Sequence, residues 1–145
     1  KLSPDDISYW AYVNRSATQT HRDYFSIQQK RQEIRNKWAD FFTKWDILLC
    51  PTTATTAIIH DQDQPRHKRT ILVNNKKESY NDQLFWAGLA IFSHLPATVF
   101  PTGVSDSLPI GIQAIGPYLG DLETIRFAEL MEVSYGGFSP PINYI

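Results

Sequence analysis

The sequence predicts an α/β layer architecture, and three observations carry that prediction. Stretches with apolar residues at helical spacing alternate with short apolar runs that end in proline or glycine. The 145 residues are 13% aromatic, with 4 Trp, 7 Tyr and 8 Phe, enough apolar surface to offset ordering entropy over most of the length. No internal repeat and no low-complexity segment interrupts the alternation.

The elements follow in order. Ser3-Pro4-Asp5-Asp6 reads as a helix start, with Ser capping, Pro at the first helical position and acids at the positive end of the dipole. This first helix is expected to run to about Ser16. A longer helix is expected from Thr20 to about Trp45, where Ile27, Ile34, Trp38, Phe41, Phe42 and Trp45 share one face and Lys30, Arg31, Glu33, Arg35 and Lys37 the other. At Asp46 to Pro51 the period changes. Ile47, Leu48, Leu49 and Cys50 before Pro51 predict a strand buried on both faces.

Thr52 to Lys68 is polar and irregular and reads as a long surface loop. Arg69 to Val73, the turn residues Asn74 to Lys77, and Glu78 to Tyr80 predict an exposed hairpin. Ser79 followed by Asp82 opens a third helix, expected to be buried because Leu84, Phe85, Leu89, Ile91, Phe92 and Leu95 give it a broad apolar face; Pro96 stops it. Ala97 to Pro101 predicts a second short buried strand. Pro109 to Gly116 predicts a third, with alternation and a glycine suited to close backbone contact. Asp121 caps a final helix that stops at Gly136-Gly137, and Ser139 to Ile142 is non-helical. Three core strands are few for an independent sheet, so the chain is expected to be part of a larger one. Residues 1–45 form a helical lead-in to a strand-and-helix unit over 46–138.

Composition narrows the function. A net charge of −1 predicts no strong pull toward nucleic acid or anionic membrane. No apolar run approaches the ~20 residues that cross a bilayer. The polar start is unlike a signal peptide, and the single cysteine, Cys50, fits a reducing compartment; the expected location is cytoplasmic, with Asn14-Arg15-Ser16 a chance glycosylation match. The abrupt start at Lys1, without an initiator Met, suggests a fragment, a cloned domain or a processed product.

Catalytic constellations are missing. His21, His60, His67 and His94 lie in no ligand spacing with one another or with Cys50, so no metal site is expected; His60, Asp61 and Asp63 read as a solvated loop rather than a cation site. No Gly-x-Ser-x-Gly elbow, dinucleotide fingerprint or phosphate loop occurs. Cys50 ends a strand, where nucleophiles of α/β sheets gather, but has no base beside it and reads as a core residue. Arg66-His67-Lys68-Arg69 is too isolated for nucleic acid and reads as a solvated loop.

A resemblance follows from these same segments. Trp38-Ala39-Asp40-Phe41-Phe42, Asp46 to Thr52, Trp86-Ala87-Gly88, Leu95 to Gly103, Leu108 to Pro117, Gly120-Asp121 and Phe127-Ala128 are similar, in order, to the last third of amidase signature enzymes. The Leu108-Pro109-Ile110-Gly111-Ile112-Gln113 run, about a dozen residues after Leu95-Pro96, is the most specific block; the family usually has Gly where this chain has Ser107. The resemblance implies the last strands and covering helices of an α/β/α sandwich with a mixed sheet.

It also implies carboxamide hydrolysis through a serine, a second serine on a cis peptide and a lysine, with no cofactor. All three lie upstream of the matching region, so no catalytic residue is assigned here. By the same resemblance Trp86 and Phe85, with Phe92 in addition, are candidate pocket-lining residues, and the loops at Pro51-Thr52 and Pro101-Thr102 help wall the acyl side. Glutamine-accepting family members use an acid before Leu-Pro. Asp82 is out of register with it and Leu84 stands nearer the aligned position, so a tRNA-linked substrate is not implied. The expected partners are an amide substrate in the intact enzyme, the remainder of the amidase chain and, through exposed edges, a second copy; nucleic acid and membrane are not expected. The competing reading is a non-catalytic amidase-like module that binds a partner chain.

Overall fold

The computed structural model describes residues 3–140. Its elements are α1 (Tyr9–Ala17), α2 (His21–Phe42), β1 (Leu48–Pro51), β2 (Thr70–Val73), β3 (Lys76–Ser79), α3 (Leu84–Ile91), β4 (Ala97–Ser105), β5 (Leu108–Ile115) and α4 (Asp121–Tyr135). The main sheet has the order β1-β5-β4 and is antiparallel throughout, while β2 and β3 form a separate hairpin.

The sheet separates the helices into two layers. On β5, Gln113 and Ile115 point to one face and Ile112 and Ala114 to the other. Cys50 and Ile115 pack with Ala90 and Leu95, flanked by Trp38 and Phe42 of α2 and Trp86 and Leu89 of α3. On the opposite face the Phe100 ring meets Phe127 of α4 edge-on at 5.9 Å, and Thr98 Oγ1 donates to Thr124 Oγ1 at 2.8 Å. The result is the α/β/α sandwich, with α2 and α3 on one side and α4 on the other.

Several boundaries move for identifiable reasons. Ser3 to Asp6 forms only a turn, closed by the Asp6 N–H to the Ser3 carbonyl. The first helix instead starts at Tyr9, because Ser8 is also a good cap and accepts the Ala11 N–H at 3.3 Å, while Asp6 holds the Ser8 N–H outside the helix. α2 starts where expected, and Thr20 is its cap, in a reciprocal capping box with Asp23, but the helix ends at Phe42 rather than Trp45. Ser79 accepts the Asn81 N–H and opens a 3₁₀ turn over Tyr80–Gln83, so α3 begins only at Leu84. It ends in a Schellman turn: Leu95 N–H bonds the Ala90 carbonyl and His94 N–H that of Ile91, with His94 left-handed at φ 55° shortly before Pro96. Gly120, not Asp121, is the cap of α4; Asp121 and Glu123 sit in its first turn, and Gly136 at φ 89° terminates it.

The strands are less buried than expected. Leu49 and Val99 are exposed, α3 leaves Leu84, Phe85 and Ile91 in solvent, and β4 runs on past Pro101 to Ser105 through a bulge between Pro101 and Gly103. β4 is an edge strand, which is where a sheet accepts proline. Both hairpin turns use left-handed residues, Asn74-Asn75 and Asp106-Ser107, as a two-residue turn between twisted strands requires. Gly111 is where the backbone contact occurs: a methyl there would stand 3.0 Å from the Phe100 carbonyl. Of the tail, 138–140 is non-helical, and Pro141 and Ile142 lie outside the described residues. The chain exposes 11337 Å², against about 7,600 Å² for a compact 16.7 kDa monomer. Much apolar surface is therefore left uncovered.

Candidate functional site

The antiparallel ladder places Pro51 and Pro101 at the same end of the sheet, since β1 and β4 both run against β5. They stand one strand apart, about 10 Å from each other. Their surroundings differ. Pro101 and Thr102 lie beside the end of α4, with Met131, Tyr135 and Gly136, whereas the chain after Pro51 turns toward α3. The structure thus brings the Pro51 carbonyl close to that of Trp86, both bonded to Gln113, while Pro101 and Thr102 of β4 lie beside the end of α4.

The three aromatic candidates also divide. Phe85 (63% exposed) and Phe92 (38% exposed) line an open groove of about 360 Å³ with Ile34, Trp38, Gly88, Leu89 and Ser93. Helical spacing sets this up: 85, 88, 89 and 92 form one face of the α3 segment, and 34 and 38 the facing side of α2. Nothing comes within 4 Å of a methyl built on Gly88, so the groove floor is open there. Trp86 is not in the groove lining. It turns toward the sheet, packs on the Cys50–Ile115 core and meets the Phe85 ring edge-on at 5.3 Å. Its contribution is support for Phe85 and attachment of α3.

Two glutamines join the loop after β1 to α3. Gln113, 5% exposed, donates from Nε2 to the Pro51 carbonyl at 2.9 Å and to the Trp86 carbonyl at 3.1 Å. Gln83 accepts the Ala54 N–H at 2.7 Å. The sequence signal for Gln113 is its position, an amide among apolar residues on a strand that is otherwise core. Arg35 fixes the other side of the groove. Its Nε donates to the Ser93 carbonyl at 3.1 Å, Nη2 lies 3.2 Å from His94 Nδ1, and its guanidinium stacks 4.0 Å from the Tyr118 ring centroid. At the outer end the Arg31 guanidinium covers Phe92 at 5.5 Å.

Burial pushes the Cys50 thiol above its ordinary range, with the Gln113 amide acting in the opposite direction. A raised thiol is a poor nucleophile near neutral pH, which agrees with a core role. Asp61 uses Oδ1 to accept the N–H groups of Asp63 and Gln64, so its carboxylate shapes its own loop; no metal-holding cluster occurs among the described residues. In the basic run, Arg69 donates to the Gln64 carbonyl and Arg66 lies over Tyr80, both within the loop–hairpin junction. No helix among the described residues is long and apolar enough to cross a membrane.

What this geometry defines is an α/β sandwich unit with an aromatic groove on one face. Comparison with known proteins gives the family: the amidase model matches residues 5–125, and the chain belongs to the amidase family. A glutamyl-tRNA(Gln) amidotransferase subunit of Exiguobacterium sp. is 28% identical over 118 residues, 81% of this chain and 22% of that protein. The corresponding amidotransferase subunit from Halothermothrix orenii is 29% identical over 75% of this chain and 21% of its own length. The chain thus spans about a fifth of the length of these curated relatives. Among solved structures, a bacterial aryl acylamidase of the amidase signature family superposes with a TM-score of 0.66 at 22% identity, over 88% of this chain and 26% of that one. The glutamyl-tRNA(Gln) amidotransferase subunit from Thermotoga maritima gives 0.59 at 24% identity, over 94% and 31%. These likenesses establish the fold.

Proposed function

We propose that this chain is the C-terminal part of an amidase acting on carboxamide bonds, and that it supplies scaffold and acyl-side pocket wall. The observation that carries this reading is the family match over 5–125 together with the open aromatic groove between α2 and α3. In the intact enzyme the serine pair and lysine stand on upstream segments. The serine Oγ attacks the amide carbonyl, its proton passes by way of the lysine to the departing amine, and water then cleaves the acyl ester. Phe85 and Phe92 face the apolar part of the acyl group and Trp86 holds Phe85 in place. The partners in this reading are a small carboxamide and the remainder of the amidase chain.

The reading predicts that the purified chain turns over no simple amide or ester. Hydrolysis by the chain, abolished by a serine-directed inhibitor, contradicts it.

A further inference from the structure

Gln113 stands on the central strand, 5% exposed and on the same face as the core residue Ile115. Its Nε2 donates to two elements distant in sequence. The Pro51 carbonyl is 62 residues away and the Trp86 carbonyl 27. Trp86 lies inside α3, so its carbonyl is also in range of the helix's own ladder, and the Gln113 bond is an addition to it. The Pro51 carbonyl marks where β1 leaves the sheet. Its Gln113 bond fixes the direction in which Thr52 to Ala54 departs, and Ala54 then reaches Gln83 at the start of the α3 segment.

We propose that Gln113 is a positioning residue: one buried amide on β5 sets the spacing between the Pro51–Ala54 loop and α3, and so the placement of the Phe85 groove wall, which Trp86 supports from the core side. This rests on the reading of that wall as part of the acyl-side pocket. Leucine at 113 fills similar volume but leaves the Pro51 carbonyl without its partner, so the loop gains freedom while the core stays filled. Methionine does the same with a longer chain.

The test is amide hydrogen exchange on the full chain with Gln113→Leu and Gln113→Met, comparing Ala54, whose N–H bonds Gln83, with Leu95, whose N–H closes the Schellman turn. Exchange at Ala54 is expected to accelerate at least tenfold more than at Leu95 in both variants. Acceleration of the two amides in parallel overturns the proposal, since it assigns Gln113 a general packing role. The companion measurement is titration of the unaltered chain with hexanamide, followed at the Phe85 and Trp86 ring signals. Shifts at these rings that weaken in Gln113→Leu support the positioning of a substrate wall. An Ala54-selective effect with no hexanamide shift leaves the loop–helix coupling standing but overturns the pocket reading.

Discussion

The two ends of this chain use similar residues and obtain different amounts of structure from them. Over residues 84–135 the helices press on a sheet, and Ile115, Ala114, Ala90 and Thr124 are almost fully buried. Over residues 9–42 a nine-residue and a 22-residue helix contain one buried residue between them, Ala11, although Trp10, Tyr12, Tyr24, Phe25 and Ile27 offer large apolar surfaces. α2 gains tertiary packing only from its middle onward, where Arg31, Ile34 and Arg35 meet the α3 segment and its following turn and Trp38 and Phe42 reach the core cluster. Its N-terminal half is held by local devices, chiefly the Thr20–Asp23 capping box. Composition therefore predicts that a helix forms, whereas burial depends on whether a partner surface is present.

Substitutions sharpen this contrast. The heaviest loss is expected at Ile115, fully buried on the central strand, where Ile115→Ala should cost about 2–5 kcal/mol in denaturant unfolding. The matched change Phe25→Ala, at a residue 56% exposed, should stay within about 0.5 kcal/mol. A cost at Phe25 equal to that at Ile115 would show that the lead-in has a core of its own. Next is Gly116→Ala. The added methyl would lie 2.6 Å from Thr124 Cγ2 and force α4 away from the sheet, at about 1–3 kcal/mol in the same unfolding experiment.

Thr20→Ala should cost about 1 kcal/mol, and the loss should appear as helical circular dichroism from α2 while the cooperative core transition stays in place. The capping box also has a pH signature. Hydrogen bonds from Thr20 hold the Asp23 carboxyl below its ordinary range. A carboxyl depressed in the folded state stabilises it above the unfolded pKa, and that contribution fades as pH falls through the lower folded value. Ellipticity from the start of α2 should therefore decline in acid below about pH 4, and Asp23→Asn should flatten the decline. The last and slightest change is a gain. Ser107 sits at φ 64°, where glycine carries no Cβ penalty, so Ser107→Gly should raise stability by about 0.5 kcal/mol in thermal unfolding.

Much of this was legible in the sequence because it is encoded locally. Thr20 with Asp23, the alternation of β5, the stop at Gly136-Gly137 and the change of period at Asp46 each involve a few neighbouring residues. The first and third helices start later than their capping signals predict, because Ser8 competes with Ser3 as a cap and Ser79 opens a 3₁₀ turn before the α-helix, choices that local sequence does not rank. The site was legible only in outline. Phe85 and Phe92 share an open groove, whereas Trp86 faces the core and Pro101-Thr102 lies beside the end of α4. Gln113 carried a signal, a polar residue in an apolar strand, yet its two carbonyl partners come from far along the chain. Exposure of Leu49, Val99 and Phe85 was not legible, because an apolar run does not say which surface covers it.

The proposed role as one part of an amidase scaffold requires that the open faces of this chain need further chain to cover them. Light scattering on the purified chain, recorded across a concentration series, puts that requirement to the test. The uncovered strands and helix faces predict concentration-dependent self-association. A monodisperse monomer at every concentration would contradict the proposal and favour the self-contained binding module.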